Sequence, residues 1–286
     1  MEEQREYPVV KWAGFFEVST SGYYEWKETR AARKARDTAY RERVRRIFES
    51  SGGTYGAERI SAALRKDGQC ASYRKVKRAM NEMGLRSVHQ KKVKSLTDSR
   101  KARGDEYVNL LKDKVITTPF TALSSDISYI PTDEGFLYLC QIKDIVSNVI
   151  LAECMSERMN RELVLNTIRA AHKRYGLAPG TIFHSDRGSQ YTSSEVKQLL
   201  SKLGFRQSFS RVGMPADNAW SESFFSILKK EVVFTVRFKT REQARHAIFA
   251  YIHGFYNRRR IQKCLGFRSP VQWLDNYFNC YLSVTT

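Results

Sequence analysis

The sequence predicts an α/β protein: a mixed β-sheet flanked by helices, preceded by an all-α helix-turn-helix region and followed by a basic helical tail. Three features lead there. Residues 120–209 alternate short runs rich in β-branched and aromatic residues with amphipathic helical patterns. Residues 57–83 read as two short helices joined by a tight turn. Charge is also segregated. The 286-residue chain has a formal net charge of +19, yet residues 105–231 balance 15 Lys+Arg against 15 Asp+Glu. They lie between flanks of net +12 (residues 1–104) and +7 (residues 232–286). A neutral core between cationic arms suits a protein that holds a polyanion, and points to nucleic acid.

The length allows more than one domain. We place a helical segment at 1–30, a helix-turn-helix domain at 31–86, a basic linker at 87–118, a catalytic core at 119–232 and a basic C-terminal region at 233–286. Cys70, Cys140, Cys154, Cys264 and Cys280 are an odd, scattered set with no histidine at ligand spacing, which argues against zinc and for free thiols in a reducing compartment. No apolar run approaches bilayer length, and the polar start MEEQREYP is no signal peptide. An intracellular soluble protein without membrane association is expected.

Residues 8–28 are aromatic-rich and interrupted by Ser19, Thr20, Ser21 and Gly22, which predicts a short helix and a turn. Phe15, Phe16, Tyr23, Tyr24 and Trp26 are expected to pack on the next segment. That segment, 31–48, is helical and strongly basic around Val44 and Ile47. SSGGTYG then breaks the chain. Helix 57–66 presents Ile60, Ala63 and Leu64, and helix 72–83 presents Val76, Ala79, Met80 and Met83. Asp67-Gly68 turns between them, Ser72 caps the second and Gly84 ends it. Arg74, Lys75, Lys77 and Arg78 would face a DNA groove. Residues 87–104 lack apolar periodicity, and 106–115 are expected to add one helix.

Strands follow at 120–130, 136–143 and 149–155, separated by turn signals that imply antiparallel connections. Then come helix 161–175 with Gly176 as its stop, strand 181–184, helix 193–203, strand 205–209 and helix 219–232. The order β-β-β-α-β-α-β-α gives antiparallel strands joined to parallel ones, which matches the ribonuclease H-like fold.

Three carboxylates stand out within this order. Asp126 lies in the first strand, Asp186 just past the fourth, and Glu222 in the first turn of the last helix. Strands one and four would be central neighbours, and a helix can lay Glu222 across the same edge. Hard divalent cations favour carboxylate oxygens, with water and phosphate completing the shell. Two Mg²⁺ (or Mn²⁺) ions can activate an attacking oxygen and steady the leaving one in phosphodiester chemistry. On the helix, Trp220, Phe224, Ile227 and Leu228 form an apolar stripe, while Glu222, Ser226 and Lys229 share another face. Lys229 would then meet the DNA backbone. Arg187, Gln190 and Tyr191 are further DNA-contact candidates, as are Arg258, Arg259 and Arg260. His184 is read as a packed histidine rather than a proton shuttle, Asp217-Asn218 as a helix cap, and Gly188 and Gly213 as points of tight backbone.

At these residues the chain resembles the second-reading-frame products of the insertion sequence three family of bacterial transposases, which share the retroviral-integrase type of core. The likeness rests on SSDISYI, HSDRGSQYTS and GMPADNAWSESFFSILKKE, with 35 residues between Asp186 and Glu222 and Lys229 seven after Glu222. FYNRRRIQKCLGFRSPVQW and YGAERISAALRKDG…SYRKVKRAMNEMGL resemble the family's closing motif and its helix-turn-helix. Leu123 and Ser125 replace the usual Trp and Thr, and Gln262 the usual His; none of these is a metal ligand. The resemblance implies a DNA transposase that cuts at element ends and performs strand transfer, joining the donor strand into a circle first. It implies terminal repeats and target DNA as partners, at least a dimer on DNA, fusion to or association with an upstream-frame end-binding subunit, and a cytoplasmic, nucleoid-associated location in a bacterium. A non-catalytic DNA-binding regulator and a structure-specific nuclease are the competing readings.

Overall fold

The computed structural model describes residues 8–88, 107–211 and 215–285. The chain divides into two compact units, Met1–Ser87 and Val88–Thr286. Most of the expected linker, together with Gly213, lies outside the described residues.

The first unit holds α1 (Val9–Phe15), α2 (Thr20–Ser50), α3 (Ala57–Lys66) and α4 (Tyr73–Glu82). The serine-rich break expected near residue 20 is a helix start. Ser19 accepts from the Gly22 N–H at 3.0 Å, and α2 then runs for 31 residues. The boundary expected between 30 and 31 therefore falls inside one helix. Phe15, Phe16, Tyr24 and Trp26 stay exposed; Phe15 and Phe16 contact each other, Tyr23 contacts Tyr24 and Trp26, and Arg33 of the next segment lies over the Trp26 ring. Val44 of α2 meets a small core of Ile60, Leu64, Val76, Ala79 and Met80. The Ser61 hydroxyl donates to the Ala71 carbonyl and fixes the α3–α4 turn, and Ser72 caps α4 by accepting from the Lys75 N–H. Arg74, Lys75, Lys77 and Arg78 are all exposed on α4.

The second unit is built on β1 (Ala122–Thr132), β2 (Gly135–Asp144), β3 (Ile150–Ser156), β4 (Ile182–Ser185) and β5 (Arg206–Phe209), in spatial order β3-β2-β1-β4-β5. The β1–β2 and β2–β3 pairs are antiparallel, and the β1–β4 and β4–β5 pairs are parallel, as expected. Between β3 and β4 lies α5 (Arg161–Tyr175), which Asn160 caps and Gly176 ends at φ 56°. Between β4 and β5 lie the one-turn α6 (Ser189–Thr192) and α7 (Ser194–Lys202). No helix forms over 107–115; Asn109 accepts from the Leu111 N–H, a local turn that competes with helix.

Strand alternation sorts the core. On one face, Leu123, Cys140, Ile142 and Phe183 meet Leu163, Val164, Ile168, Val196 and Leu200 of α5 and α7. On the other, Ile130, Leu137 and Leu139 meet Phe224, Phe225 and Leu228 of α8 (Ala219–Leu228). Each large apolar side chain so buried contributes about 1.5–3 kcal/mol.

The same second cluster includes Val233, Phe238, Ala244, Ile248, Tyr251, Ile252 and Tyr256. The expected boundary at 232/233 is therefore no break: the C-terminal segment is a layer of the core. It comprises a π-helical stretch Lys229–Val233, α9 (Arg241–Phe249), a second π-helical stretch Ala250–Tyr256 and α10 (Pro270–Thr285). Among the described residues no helix is long and apolar enough to cross a membrane.

Candidate active site

Strand register brings the two aspartates together. Ser124 pairs with His184 at the end of the β1–β4 ladder, and Asp126 and Asp186 each lie two residues further on. β4 ends at Ser185 while β1 continues to Thr132, so Asp126 sits where the sheet opens. By alternation Asp126 shares a face with Ser124 and Ile130, the face covered by α8. Glu222 stands in the first turn of that helix.

The electrostatics couple the three. Burial, then the Asp186 carboxylate, pushes the Asp126 acid up to about 8; the Ile127 N–H opposes this, Glu222 adds to it and Lys229 opposes it. Burial also raises Asp186 and Glu222, although both keep solvent-exposed edges. Each aspartate is turned onto nearby backbone: Asp126 accepts from the Ile127 N–H at 2.8 Å and Asp186 from the Gly188 N–H at 3.0 Å. Among the described residues no three Asp, Glu, His or Cys side chains gather closely enough to hold a metal ion in common. The donor set still fits a hard divalent cation. It consists of oxygens alone, and the Asp186 and Glu222 charges that raise the Asp126 acid are what a cation between them relieves.

Several neighbours hold this arrangement. Tyr191, read from sequence as a DNA contact, is buried, and its hydroxyl hydrogen-bonds Ser125 at 2.9 Å. It ties the Asp186 loop to the strand of Asp126. Gly188 lies so near the Asp186 carboxylate that a Cβ would meet Oδ1 at 3.1 Å. His184 is buried between the hydroxyls of Ser208 and Ser210, at 2.8 and 3.2 Å, which agrees with a packed histidine. Asp217 does not cap α8. It takes the Arg211 backbone N–H and a two-point guanidinium contact at 2.9–3.0 Å, and the side chain of Asn218 makes no capping bond.

Sequence reasoning missed Gln141 and Lys143, two buried polar residues of β2. The Gln141 amide donates to the Ser221 hydroxyl at 3.0 Å and the Lys143 ammonium to the Trp220 carbonyl at 2.5 Å. Burial lowers Lys143 to about 8. Polar residues alternating with Cys140 and Ile142 in a buried strand were the available signal.

The basic candidates divide. Lys229 is half-buried, with its ammonium 5.0 Å from the centre of the Tyr129 ring. Arg187 donates to the Ser210 carbonyl and lies over the Tyr107 ring, so it braces the fold locally. Arg258 and Arg259 are exposed. Arg260 is a correction: it is 1% exposed and bound to Glu231 by contacts of 2.7–3.1 Å, with Tyr251 donating to the same carboxylate. A side chain spent on a buried carboxylate does not meet a phosphate.

Comparison with known proteins agrees with this architecture. Residues 117–215 and 222–279 match two family models, each described as an integrase core domain, and residues 34–93 match an HTH-like domain. The transposase for insertion sequence element IS904 of Lactococcus lactis subsp. lactis (strain IL1403) is 36% identical over 230 residues, 80% of this chain and 90% of that protein. Transposase InsF for insertion sequence IS3A of Escherichia coli (strain K12) is 32% identical over 278 residues, 95% and 96% of the two chains. A chain of a simian T-cell lymphotropic virus intasome aligns at 15% identity and TM-score 0.47, covering 74% of this chain and 69% of that one. An integrase-type core implies dependence on a divalent metal, and the HTH-like domain indicates DNA binding. Because the likeness to these transposases runs through the helical region, the carboxylate-bearing core and the C-terminal layer alike, the chain belongs to the IS3 family: it is a DNA transposase of insertion sequences, a polynucleotidyl transferase with an integrase core.

Proposed function

We propose that Asp126, Asp186 and Glu222 together hold two Mg²⁺ (or Mn²⁺) ions and that the enzyme uses them to cut the ends of its element and join the freed 3′-hydroxyl to a new phosphodiester. The supporting observation is the electrostatic coupling of Asp126 to both other carboxylates where the β1–β4 ladder opens. When bound, the ions supply a polarised attacking oxygen and stabilise the leaving one.

The chain's own side chains do the rest. Asp126 is fixed by its strand, Asp186 by the Gly188 N–H, and Glu222 by the helix that α8 forms across the edge. Lys229 lies near enough to Asp126 to lower that residue's acid, so its charge falls beside the reacting phosphate, where it offsets charge on the DNA backbone. Exposed Arg74, Lys75, Lys77 and Arg78 of α4 approach the DNA groove, and Arg258 and Arg259 add backbone contacts. The substrates are the element's terminal repeats and a target duplex. Because strand transfer joins two ends, at least two copies act on DNA, together with or fused to an upstream-frame end-binding subunit.

Glu222→Gln keeps the size of the side chain and removes its charge. On DNA carrying the true ends, cleavage and strand transfer in Mg²⁺ should fall at least about 100-fold with end binding retained. Normal strand transfer by this protein would sink the assignment.

A further inference from the structure

We propose that Gln141 and Lys143 are positioning residues for Glu222: two buried side chains of β2 that set where the first turn of α8 lies against the sheet. The proposal rests on reading the three carboxylates as one site.

Gln141 is the cross-strand partner of Asp126, and Lys143 of Ser124. Both side chains leave β2 on the face that α8 covers. Gln141 reaches the hydroxyl of Ser221, itself fully buried, and Lys143 reaches the carbonyl of Trp220. Glu222 is the next residue. One strand pairing, one hydrogen bond and one peptide bond therefore connect the first carboxylate to the third.

A buried amide and a buried ammonium are costly unless their bonds are used. Gln141 is 0% exposed, and its carbonyl oxygen has no protein partner. Apolar residues would fill a strand interior at lower cost. The polar pair supplies direction instead. Phe224, Phe225 and Leu228 hold α8 to the sheet by apolar contact, which tolerates sliding and rotation. Two hydrogen bonds to adjacent residues of its first turn do not. With no side-chain cap on α8, these bonds fix the start of the helix.

The test uses the full chain and Mn²⁺ as the probe, with calorimetric binding, the Mn²⁺ needed for half-maximal cleavage, KM for end DNA and thermal unfolding as readouts. Lys143→Met and Ser221→Ala should each weaken Mn²⁺ binding about 10-fold, as loss of a residue that orients a ligand does, with KM for DNA little changed. Ser221→Thr, which keeps the hydroxyl, should restore binding. Adding Gln141→Leu to Ser221→Ala should cost no more than the worse single change, since both remove one bond. Unchanged Mn²⁺ binding in folded Lys143→Met and Ser221→Ala, with only the melting temperature lowered, would overturn the proposal. If Lys143→Met does not fold, the Ser221 pair decides alone. Glu222→Gln is measured in parallel. If it too binds Mn²⁺ normally, the carboxylate site itself falls. If it loses binding while the Lys143 and Ser221 variants keep it, only the positioning role falls.

Discussion

Replacing Arg260 with Met separates a structural arginine from a DNA-binding one. Arg260 lies in the run Arg258-Arg259-Arg260, yet only the third is buried. Its guanidinium makes three contacts with Glu231, and both side chains are essentially inaccessible, at 1% and 0%. Removing one partner takes the paired cation from a buried carboxylate that accepts from the Tyr251 hydroxyl at 2.7 Å. Such a loss costs about 3–5 kcal/mol. In a unit of this size each kcal/mol moves the melting temperature by roughly 2–4 °C, so Arg260→Met should melt about 6–20 °C lower. Replacing Glu231 by Leu in the same protein should recover a large part of this, because the buried charge is gone. Calorimetry on the four proteins of the double-mutant cycle gives the coupling directly. Below the melting range, the salt dependence of DNA binding should match the unaltered chain for Arg260→Met. For Arg258→Ala the slope should fall by about 0.9 for one lost phosphate contact. An Arg260→Met protein with unchanged melting and a shallower salt slope would refute the reasoning.

Two further outcomes follow from the geometry. Gly188→Ala should slow cleavage without unfolding the protein, because the new methyl would sit 3.1 Å from the Asp186 carboxylate and displace it; cleavage rate and circular dichroism measured together check this. The Arg211 guanidinium holds the Asp217 carboxyl well below the usual carboxylate range. Its contribution to stability is therefore full above the unfolded value of about 3.9 and is lost as pH falls through the folded one. Asp217→Asn should melt lower than the unaltered chain at pH 7, and the gap should narrow from about pH 4 downward. A gap independent of pH would contradict the pairing.

The β-β-β-α-β-α-β-α order was legible because alternation and glycine stops act locally, and strand positions such as β2 were placed within a residue or two. The places of the three carboxylates were legible in the element order: Asp126 within β1, Asp186 just past β4 and Glu222 in the first turn of α8. What failed were features decided by contacts remote in sequence. Arg260 is sorted from its neighbours by a glutamate 29 residues away. Tyr191 is drawn inside by Ser125 across 66 residues. The start of α2 reads as a break in the sequence because Ser, Thr and Gly suit both turns and first helical turns. Gln141 and Lys143 look like ordinary strand polarity until α8 lies over them.

The central claim is that Asp126, Asp186 and Glu222 form one metal site. Anomalous scattering from Mn²⁺ in crystals of the protein bound to its end DNA tests this most directly. The account predicts two Mn²⁺ peaks roughly 3.5–4 Å apart, with oxygens of all three carboxylates coordinating them. Peaks that leave any of the three unligated, or Mn²⁺ bound elsewhere in the core, would contradict it.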